Sequence, residues 1–217
     1  GAPVCYFIEN NHVNMIDATG TITAVGNLPE LEDGDIMLCG YEGVTATSLY
    51  VAHHNYVSGE TDFYKSGDNG VNWTATGNID EGNFSKNSFY CSQKNEGYLY
   101  YGGVDSYRST SAGASWVRNN YWYEYYDDIE YNLHADIPFI HTFIDPSGGA
   151  EMVLISTDGG LYRSDNNGLT WNNLTEEGMR NAQYYDVYTY RFVTDIIFAG
   201  AQDQGYQRSA YDIDDNY

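Results

Sequence analysis

An eight-residue pattern occurs three times in the chain, at residues 66–73, 109–116 and 164–171. All three copies fit Ser-x-(Asp/Ser/Asn)-x-Gly-x-x-Trp, and each follows a Tyr and then a Lys or Arg. Consecutive copies lie roughly 40–55 residues apart, a period typical of folds that repeat one supersecondary unit. The residues that define the copies are Ser66, Asp68, Gly70 and Trp73, then Ser109, Ser111, Gly113 and Trp116, and finally Ser164, Asn166, Gly168 and Trp171.

Each copy reads as a tight turn between two strands. Gly and Asn tolerate positive φ, and Asp, Asn and Ser side chains can bond the backbone of their own turn. The residues on either side are rich in Tyr, Val, Ile and Thr, which favour strands. The Trp that ends each copy can fold back over its turn as an apolar lid. We therefore expect the residues of the pattern to be structural.

The pattern resembles the Asp-box, or BNR repeat, of β-propellers. That family includes sialidases, xyloglucanase-type glycoside hydrolases, sortilin-type receptors, a photosystem assembly factor and many bacterial surface proteins. The resemblance is strongest over residues 134–209, and the second copy departs from it because Ser111 stands where the family has Asp. It implies an all-β propeller in which the Asp-box turns are scaffold and the opposite loop face carries the functional site.

Alternating strand and turn residues divide the chain into blades of one propeller domain or propeller segment, residues 1–217. A blade is one antiparallel sheet of a propeller, usually of four strands. We predict three full four-stranded blades flanked by two partial ones. Their approximate ranges are 4–27 (partial), 35–76, 88–118, 137–174 and 184–213 (partial).

Two partial blades leave the size of the ring open. They could complete each other in a small ring of about four or five blades, since closure hides the sheet edges. Alternatively, the chain is part of a longer one with six to eight blades, which we favour because rings of this family are usually larger. In that case the edge strands of the partial blades pair with other polypeptide.

The charge is extreme, with 9 Lys and Arg against 31 Asp and Glu, and a net charge of −22. Phosphate binding needs basic residues, so the composition excludes a nucleic-acid partner and disfavours an anionic membrane surface. The sequence contains no run of about 20 apolar residues, so no membrane span is expected. We expect no cofactor. Calcium or a cationic partner would suit the acidic surface, but the sequence does not decide whether the protein binds a metal ion.

Cysteines say little about the compartment. Cys5, Cys39 and Cys91 are odd in number and their spacing matches no metal motif. One disulfide and one free thiol are compatible with the sequence, but the pairing cannot be assigned from it.

Candidate ligand-binding residues lie on the loops opposite the Asp-boxes. Three aspartates, Asp105, Asp158 and Asp203, precede the third strand of successive blades, and their recurrence favours a turn-forming role. A connection between blades carries a run of aromatic and acidic residues, and such runs mark binding sites for proteins or sugars. The candidates are Tyr121, Trp122, Tyr123, Glu124, His134, Asp136, Asp158 and Asp203.

Two functions remain. The first, which we favour, is a non-catalytic binding or structural module, extracellular or at the cell surface, acting with a protein partner, the rest of a longer chain, or carbohydrate. The second is a xyloglucanase-like glycoside hydrolase that uses two carboxylates of the loop face. A sialidase is disfavoured, because it needs clustered arginines and Arg108, Arg163 and Arg208 stand at repeat-equivalent strand positions.

Overall fold

A computed structural model of the chain describes residues 3–175, 184–192, 196–201 and 205–209. These residues form strands and one short 3₁₀ helix, Trp122–Asp127. The strands are β1 (Cys5–Glu9), β2 (His12–Ile16), β3 (Ile22–Asn27), β4 (Gly34–Glu42), β5 (Thr47–Asn55), β6 (Thr61–Ser66), β7 (Thr74–Ile79), β8 (Phe89–Cys91), β9 (Leu99–Gly102), β10 (Ser106–Ser109), β11 (Val117–Arg118), β12 (Phe139–Ile144), β13 (Glu151–Thr157), β14 (Gly160–Ser164), β15 (Asn172–Asn173), β16 (Tyr184–Thr189), β17 (Ile197–Ala201) and β18 (Gly205–Ser209).

The strands form five antiparallel sheets, in each of which neighbours in sequence are neighbours in space. Sheets β4–β7, β8–β11 and β12–β15 have four strands, whereas β1–β3 and β16–β18 have three. The prediction of an all-β propeller arc with three full and two partial blades is therefore confirmed. The first strands of the full blades are neighbours, since β8 contacts both β4 and β12.

Buried side chains form one core between each pair of neighbouring blades from the first to the fourth. Val13 and Val51 belong to the core between the first two blades. The next core contains Phe63 and Phe89, and the third contains Ile155 with Tyr100. Because successive side chains of a strand point to opposite faces, one strand serves two cores. On β4, for example, Met37 and Cys39 face the third blade, whereas Ile36 and Leu38 face the first.

The three turns of the repeated pattern, here called the repeat turns, share one set of hydrogen bonds. In each, the N–H of the pattern Gly donates to the hydroxyl of the pattern Ser, at 2.9, 3.0 and 2.9 Å in chain order. The third residue then accepts a hydrogen bond from the N–H of the seventh, at 2.9, 3.0 and 3.0 Å. The second turn keeps this pattern with Ser111 in place of Asp.

The tryptophans of the repeat turns each pack into the core shared with the preceding blade. The indole N–H of Trp73 donates to the carbonyl oxygen of Gly70 at 2.9 Å, and that of Trp116 to Gly113 at 3.1 Å. Trp171 is the most buried, at 3% exposure, and its indole nitrogen has no hydrogen-bond partner within the described part of the chain. The lid geometry expected from the sequence is therefore present in all three copies, with one bond fewer in the third.

Candidate functional site

The loops opposite the repeat turns meet around the connection between β11 and β12, residues 119–138. The backbone N–H of Trp122 donates to Asp105 Oδ1 at 2.7 Å, in the turn that joins β9 and β10. The N–H of Asp136 donates to the carbonyl of Val104 at 3.0 Å, and that of Asp158 to Ala135 at 3.3 Å. The structure thus brings every candidate residue from 121 to 158 to one connection and the two turns beside it. Asp203 lies outside the described residues.

The 3₁₀ helix in this connection displays its aromatic rings. Tyr121, Trp122, Tyr123 and Tyr126 are between 45% and 61% exposed, and we call them the aromatic surface. The rings of Tyr121 and Tyr123 stack with centroids 5.3 Å apart, and Trp122 meets Tyr123 edge-on at 81°. Large exposed rings in contact with one another are typical of recognition surfaces.

Glu124 has a structural task in the same helix. Its Oε2 accepts a hydrogen bond of 2.8 Å from the N–H of Tyr121, which precedes the helix. The N–H of Glu124 donates in turn to the carbonyl oxygen of Tyr121 at 3.0 Å. Reciprocal bonding of this kind satisfies donors that a helix start leaves free. Glu124 was predicted as a ligand contact, and the geometry gives it a role in fixing the rings.

Beneath the aromatic surface lies an ion pair that the sequence did not predict. Arg118 and Asp105 are joined at 3.0 Å, and Asp105 is only 6% exposed. The Arg118 guanidinium also lies over the ring of Tyr121, 4.3 Å from its centroid. Burial raises the pKa of Asp105, although the Trp122 N–H and Arg118 partly offset this. Arg118 therefore neutralises a buried carboxylate and supports one of the exposed rings.

Asparagine side chains hold the rest of the connection between β11 and β12 in place through hydrogen bonds to backbone groups. Asn120 bonds both backbone groups of Leu133, donating to its carbonyl at 2.9 Å and accepting from its N–H at 3.1 Å. Asn132 donates to the carbonyl of Glu124 at 2.8 Å, and Asn173 to that of Ile129 at 3.0 Å. These bonds join residues distant in sequence, so no local pattern could have indicated them. The connection is consequently held at several points along its length.

His134 is buried between the helix and the fourth blade. It is 6% exposed, and the ring of Tyr125 meets it edge-on at 4.6 Å. A Cβ on Gly159 would lie 2.6 Å from the Cβ of His134, so the turn between β13 and β14 packs directly on it. This burial makes His134 a packing residue of the loop face. Asp136 holds a φ of 63°, in the left-handed region that Asp adopts more readily than most residues.

The described residues contain no group of three or more His, Cys, Asp or Glu side chains arranged to hold a metal ion. Among those same residues, we find no helix with the length and apolar character that crossing a membrane requires.

Comparison with known proteins gives similarity in structure only. Neither the family models nor the curated proteins include a match to this sequence. Among solved structures, a GH74 enzyme from Niastella koreensis matches 89% of this chain at 15% identity and a TM-score of 0.47, and this chain covers 32% of it. The six-bladed Aleuria aurantia lectin matches 95% at 13% identity, with a TM-score of 0.46 and 72% of its own length covered. YCF48 from Cyanidioschyzon merolae matches 96% at 11% identity, with a TM-score of 0.33 and 94% of its length covered.

Proposed function

We propose that this chain is a non-catalytic binding module of the Asp-box propeller type, and that it binds its partner through the aromatic surface. The observation that carries the proposal is the exposure of Tyr121, Trp122, Tyr123 and Tyr126 on one pinned connection. Rings already held in place lose little conformational entropy when a partner covers them. Tyr and Trp are also among the residues that dominate the binding energy of interfaces.

The negative charge around the aromatic surface indicates which class of partner it suits. Asp127, Asp128 and Glu130 flank the aromatic surface and are exposed, and the whole chain carries a net charge of −22. A surface of rings and carboxylates suits a polypeptide that presents Lys or Arg, because both cation–π and charge-assisted hydrogen bonds become available. The proposed location, extracellular or at the cell surface, and a place in a larger protein or assembly agree with such a role.

Carbohydrate is the second candidate ligand. The edge-on pair of Trp122 and Tyr123 forms an exposed aromatic corner, and the apolar face of a sugar ring can stack on such rings. The neighbouring carboxylates would accept hydrogen bonds from its hydroxyl groups.

The hydrolase alternative receives less support. A glycoside hydrolase needs two carboxylates whose environments separate their pKa values. Glu124 bonds the start of its own helix, and Asp105 is paired with Arg118. Of the candidate carboxylates Glu124, Asp136, Asp158 and Asp203, Glu124 is thus engaged in its own helix, and the deeply buried carboxylate nearby, Asp105, is engaged in an ion pair; this favours a surface that binds over one that cleaves.

Titration of the protein with a Lys- and Arg-rich peptide, and screening on a glycan array, test the proposal. We expect Trp122→Ala to weaken binding by roughly tenfold or more, as for a central aromatic anchor. Leu169→Ala, which removes an exposed apolar side chain from the third repeat turn, is the control and should leave binding unchanged. Equal binding by wild type and Trp122→Ala would overturn the proposal. Turnover of a β-glucan that is lost in Asp136→Asn or Asp158→Asn would favour the hydrolase.

A further inference from the structure

The connection between β11 and β12 already holds one arginine between aromatic rings and a carboxylate. The Arg118 guanidinium lies over the rings of Tyr121 and Tyr107, 4.3 and 5.2 Å from their centroids. The same group pairs with Asp105 at 3.0 Å. Arginine suits this setting because its planar group stacks on a ring face while its N–H donors reach a carboxylate. The base of the aromatic surface therefore shows one complete way of binding a guanidinium.

The solvent side of the connection presents the same kind of rings. Tyr123 stacks on Tyr121 with ring planes 13° apart, and Trp122 stands against Tyr123 at 81° with centroids 5.8 Å apart. Trp122 and Tyr123 are 45% and 53% exposed, and we call this pair the aromatic corner. Among the described residues, the cation that lies over a ring of the aromatic surface is Arg118, and that ring is Tyr121. The two rings of the aromatic corner are therefore accessible to a cation from outside.

The shape of the aromatic corner distinguishes one kind of cation from another. Tyr126, the fourth ring of the aromatic surface, contacts Tyr125 and His134 instead of the corner. A rounded ammonium group is held best where several ring faces enclose it, as in the aromatic cages that bind methylated lysine. Two walls at nearly a right angle instead suit a flat group, which covers one ring with its face and meets the other with its edge. A guanidinium is flat, is more weakly hydrated than an ammonium group, and has N–H donors along its rim.

Carboxylates beside the aromatic corner match the charge of such a group. Asp127, Asp128 and Glu130 follow the rings in the chain and are exposed. Glu124 and Asp105, in contrast, are already bonded within the fold. A guanidinium stacked on the corner can donate from its rim to the exposed carboxylates, and charge-assisted hydrogen bonds are stronger than neutral ones. The net charge of −22 also attracts a basic segment toward the protein.

We propose that the aromatic corner is a recognition site for an arginine side chain of a partner polypeptide, and that it selects arginine over lysine. The guanidinium lies face-on against Tyr123 with its edge toward Trp122, and it donates to carboxylates of residues 127–130. This inference rests on the proposed function, because it names the chemical group that the aromatic surface binds. It goes further in one respect, since charge alone would accept lysine equally well.

Matched peptides separate the contribution of stacking from that of charge. The probe is a flexible peptide rich in Gly and Ser that carries several arginines. In one matched peptide each arginine is replaced by lysine, which keeps the charge, and in another by citrulline, which keeps the flat shape without the charge. Calorimetric titration of the full chain at physiological ionic strength gives a Kd for each peptide. We expect the arginine peptide to bind about fivefold more tightly than the lysine peptide, and the citrulline peptide to bind most weakly.

Variants of the protein then test whether the aromatic corner causes the preference. Tyr123→Leu removes a ring and should abolish the difference between the arginine and lysine peptides, whereas Tyr123→Phe keeps the ring and should keep the difference. Tyr126→Leu removes an exposed ring outside the corner, so it is the matched control and should also keep the difference. Asp127→Asn/Asp128→Asn should weaken both peptides by a similar factor, because both cations lose the same carboxylates.

The outcomes distinguish this inference from the proposed function. Equal affinities for the arginine and lysine peptides, with both weakened in Trp122→Ala, would overturn the inference and leave the proposed function standing. A preference for arginine that survives in Tyr123→Leu would place the guanidinium elsewhere and would also overturn it. If neither basic peptide binds, the basic partner of the proposed function is wrong, and the inference fails with it.

Discussion

Asp68 accepts a 2.7 Å hydrogen bond from the side-chain amide of Asn72, the seventh residue of the first repeat turn. In the third turn the direction is reversed, because Asn166 donates from its amide to the hydroxyl of Thr170 at 2.8 Å. In the second turn two hydroxyls, those of Ser111 and Ser115, lie 2.9 Å apart. The third and seventh positions of the turns therefore match as donor and acceptor, so a change at one predicts the change tolerated at the other.

We first predict that Asp68→Asn destabilises the protein, and that adding Asn72→Thr restores most of the loss. The single change removes the charge-assisted hydrogen bond from the Asn72 amide to the Asp68 carboxylate, whereas the double change reproduces the Asn166–Thr170 pair of the third turn. Asn72→Thr alone should cost little, since a hydroxyl can still donate to Asp68. Urea midpoints of the four proteins form a double-mutant cycle. A double variant no more stable than Asp68→Asn would contradict the pairing.

The second prediction concerns the stability of the first repeat turn at low pH. Hydrogen bonds from the Asn72 backbone, the Asn72 side chain and Ser66 lower the pKa of Asp68 to about 2. A carboxyl whose folded pKa lies below its unfolded value stabilises the fold above the unfolded pKa, and this contribution disappears as the pH falls through the folded pKa. The comparison is between the free energies of unfolding of Asn72→Thr, which keeps Asp68, and of Asp68→Asn/Asn72→Thr, which lacks it. Whatever the sign of their difference at pH 6, the variant that keeps Asp68 should therefore lose stability relative to the other between pH 4 and pH 2. Asp17 and Asp145, whose pKa values are also lowered, titrate in both proteins and cancel. A difference that stays constant over this range would contradict the prediction.

The third prediction compares how much the tryptophans of the repeat turns contribute to stability. Trp171→Ala should cost roughly 3–5 kcal/mol, the range for removing a large buried aromatic side chain. Substitution by Phe should be more costly at Trp116 than at Trp171 by about 0.5–1.5 kcal/mol, the net value of one hydrogen bond. The reason is that the Trp116 indole donates to Gly113, whereas that of Trp171 has no partner among the described residues. Denaturant unfolding of both Phe variants decides the order, and the reverse order would show that packing outweighs the bond.

The repeat turns illustrate what the sequence could predict. Ser, Gly and Trp recur at fixed spacing because each turn solves the same local problem of bonding its own backbone and covering it. That local rule is repeated three times, so the three full blades could be predicted from it. The partial blades followed as well, because their strands alternate with turns even where the pattern is missing.

The candidate site was predictable only in outline. The run of aromatic and acidic residues marked the connection, but the pair Asp105–Arg118 and the contact of Asn173 with Ile129 join residues from different parts of the fold. No periodicity links such positions. The sequence therefore indicated which segment carries the rings, but not that Glu124 and His134 are used to hold it in place.

The fourth prediction tests the support of the aromatic surface. Arg118→Met leaves the buried carboxylate of Asp105 without its ion-pair partner, and we expect a loss of about 1–3 kcal/mol at pH 7. The loss should shrink as the pH falls, because the pKa of Asp105 is already raised by burial. A carboxyl with a raised folded pKa costs stability when ionised, and protonation removes that cost. Arg118→Met/Asp105→Asn should recover most of the loss at pH 7. A loss that is the same at pH 4 and pH 7 would show that Arg118 acts through packing alone.

The last prediction assigns the pairing that the sequence left open. Cys39 on β4 and Cys91 on β8 are both buried in the same core, where burial first and the neighbouring Cys91 thiol second raise the pKa of the Cys39 thiol. Their strands are in contact, whereas Cys5 is exposed on the first blade. Refolding in a glutathione redox buffer should therefore join Cys39 to Cys91, with oxidised glutathione reduced to two thiols for each disulfide formed.

After such refolding, denatured protein should show one titratable thiol, and that thiol should disappear in Cys5→Ser. The link closes a loop of about 50 residues, so the oxidised form should be more stable by about 4 kcal/mol if the native geometry is unstrained. Cys91→Ser is the matched control, because it removes the pair and leaves Cys39 in its buried place. Three titratable thiols in the refolded wild type, or a disulfide that contains Cys5, would show that the neighbouring first strands do not hold their cysteines in bonding geometry.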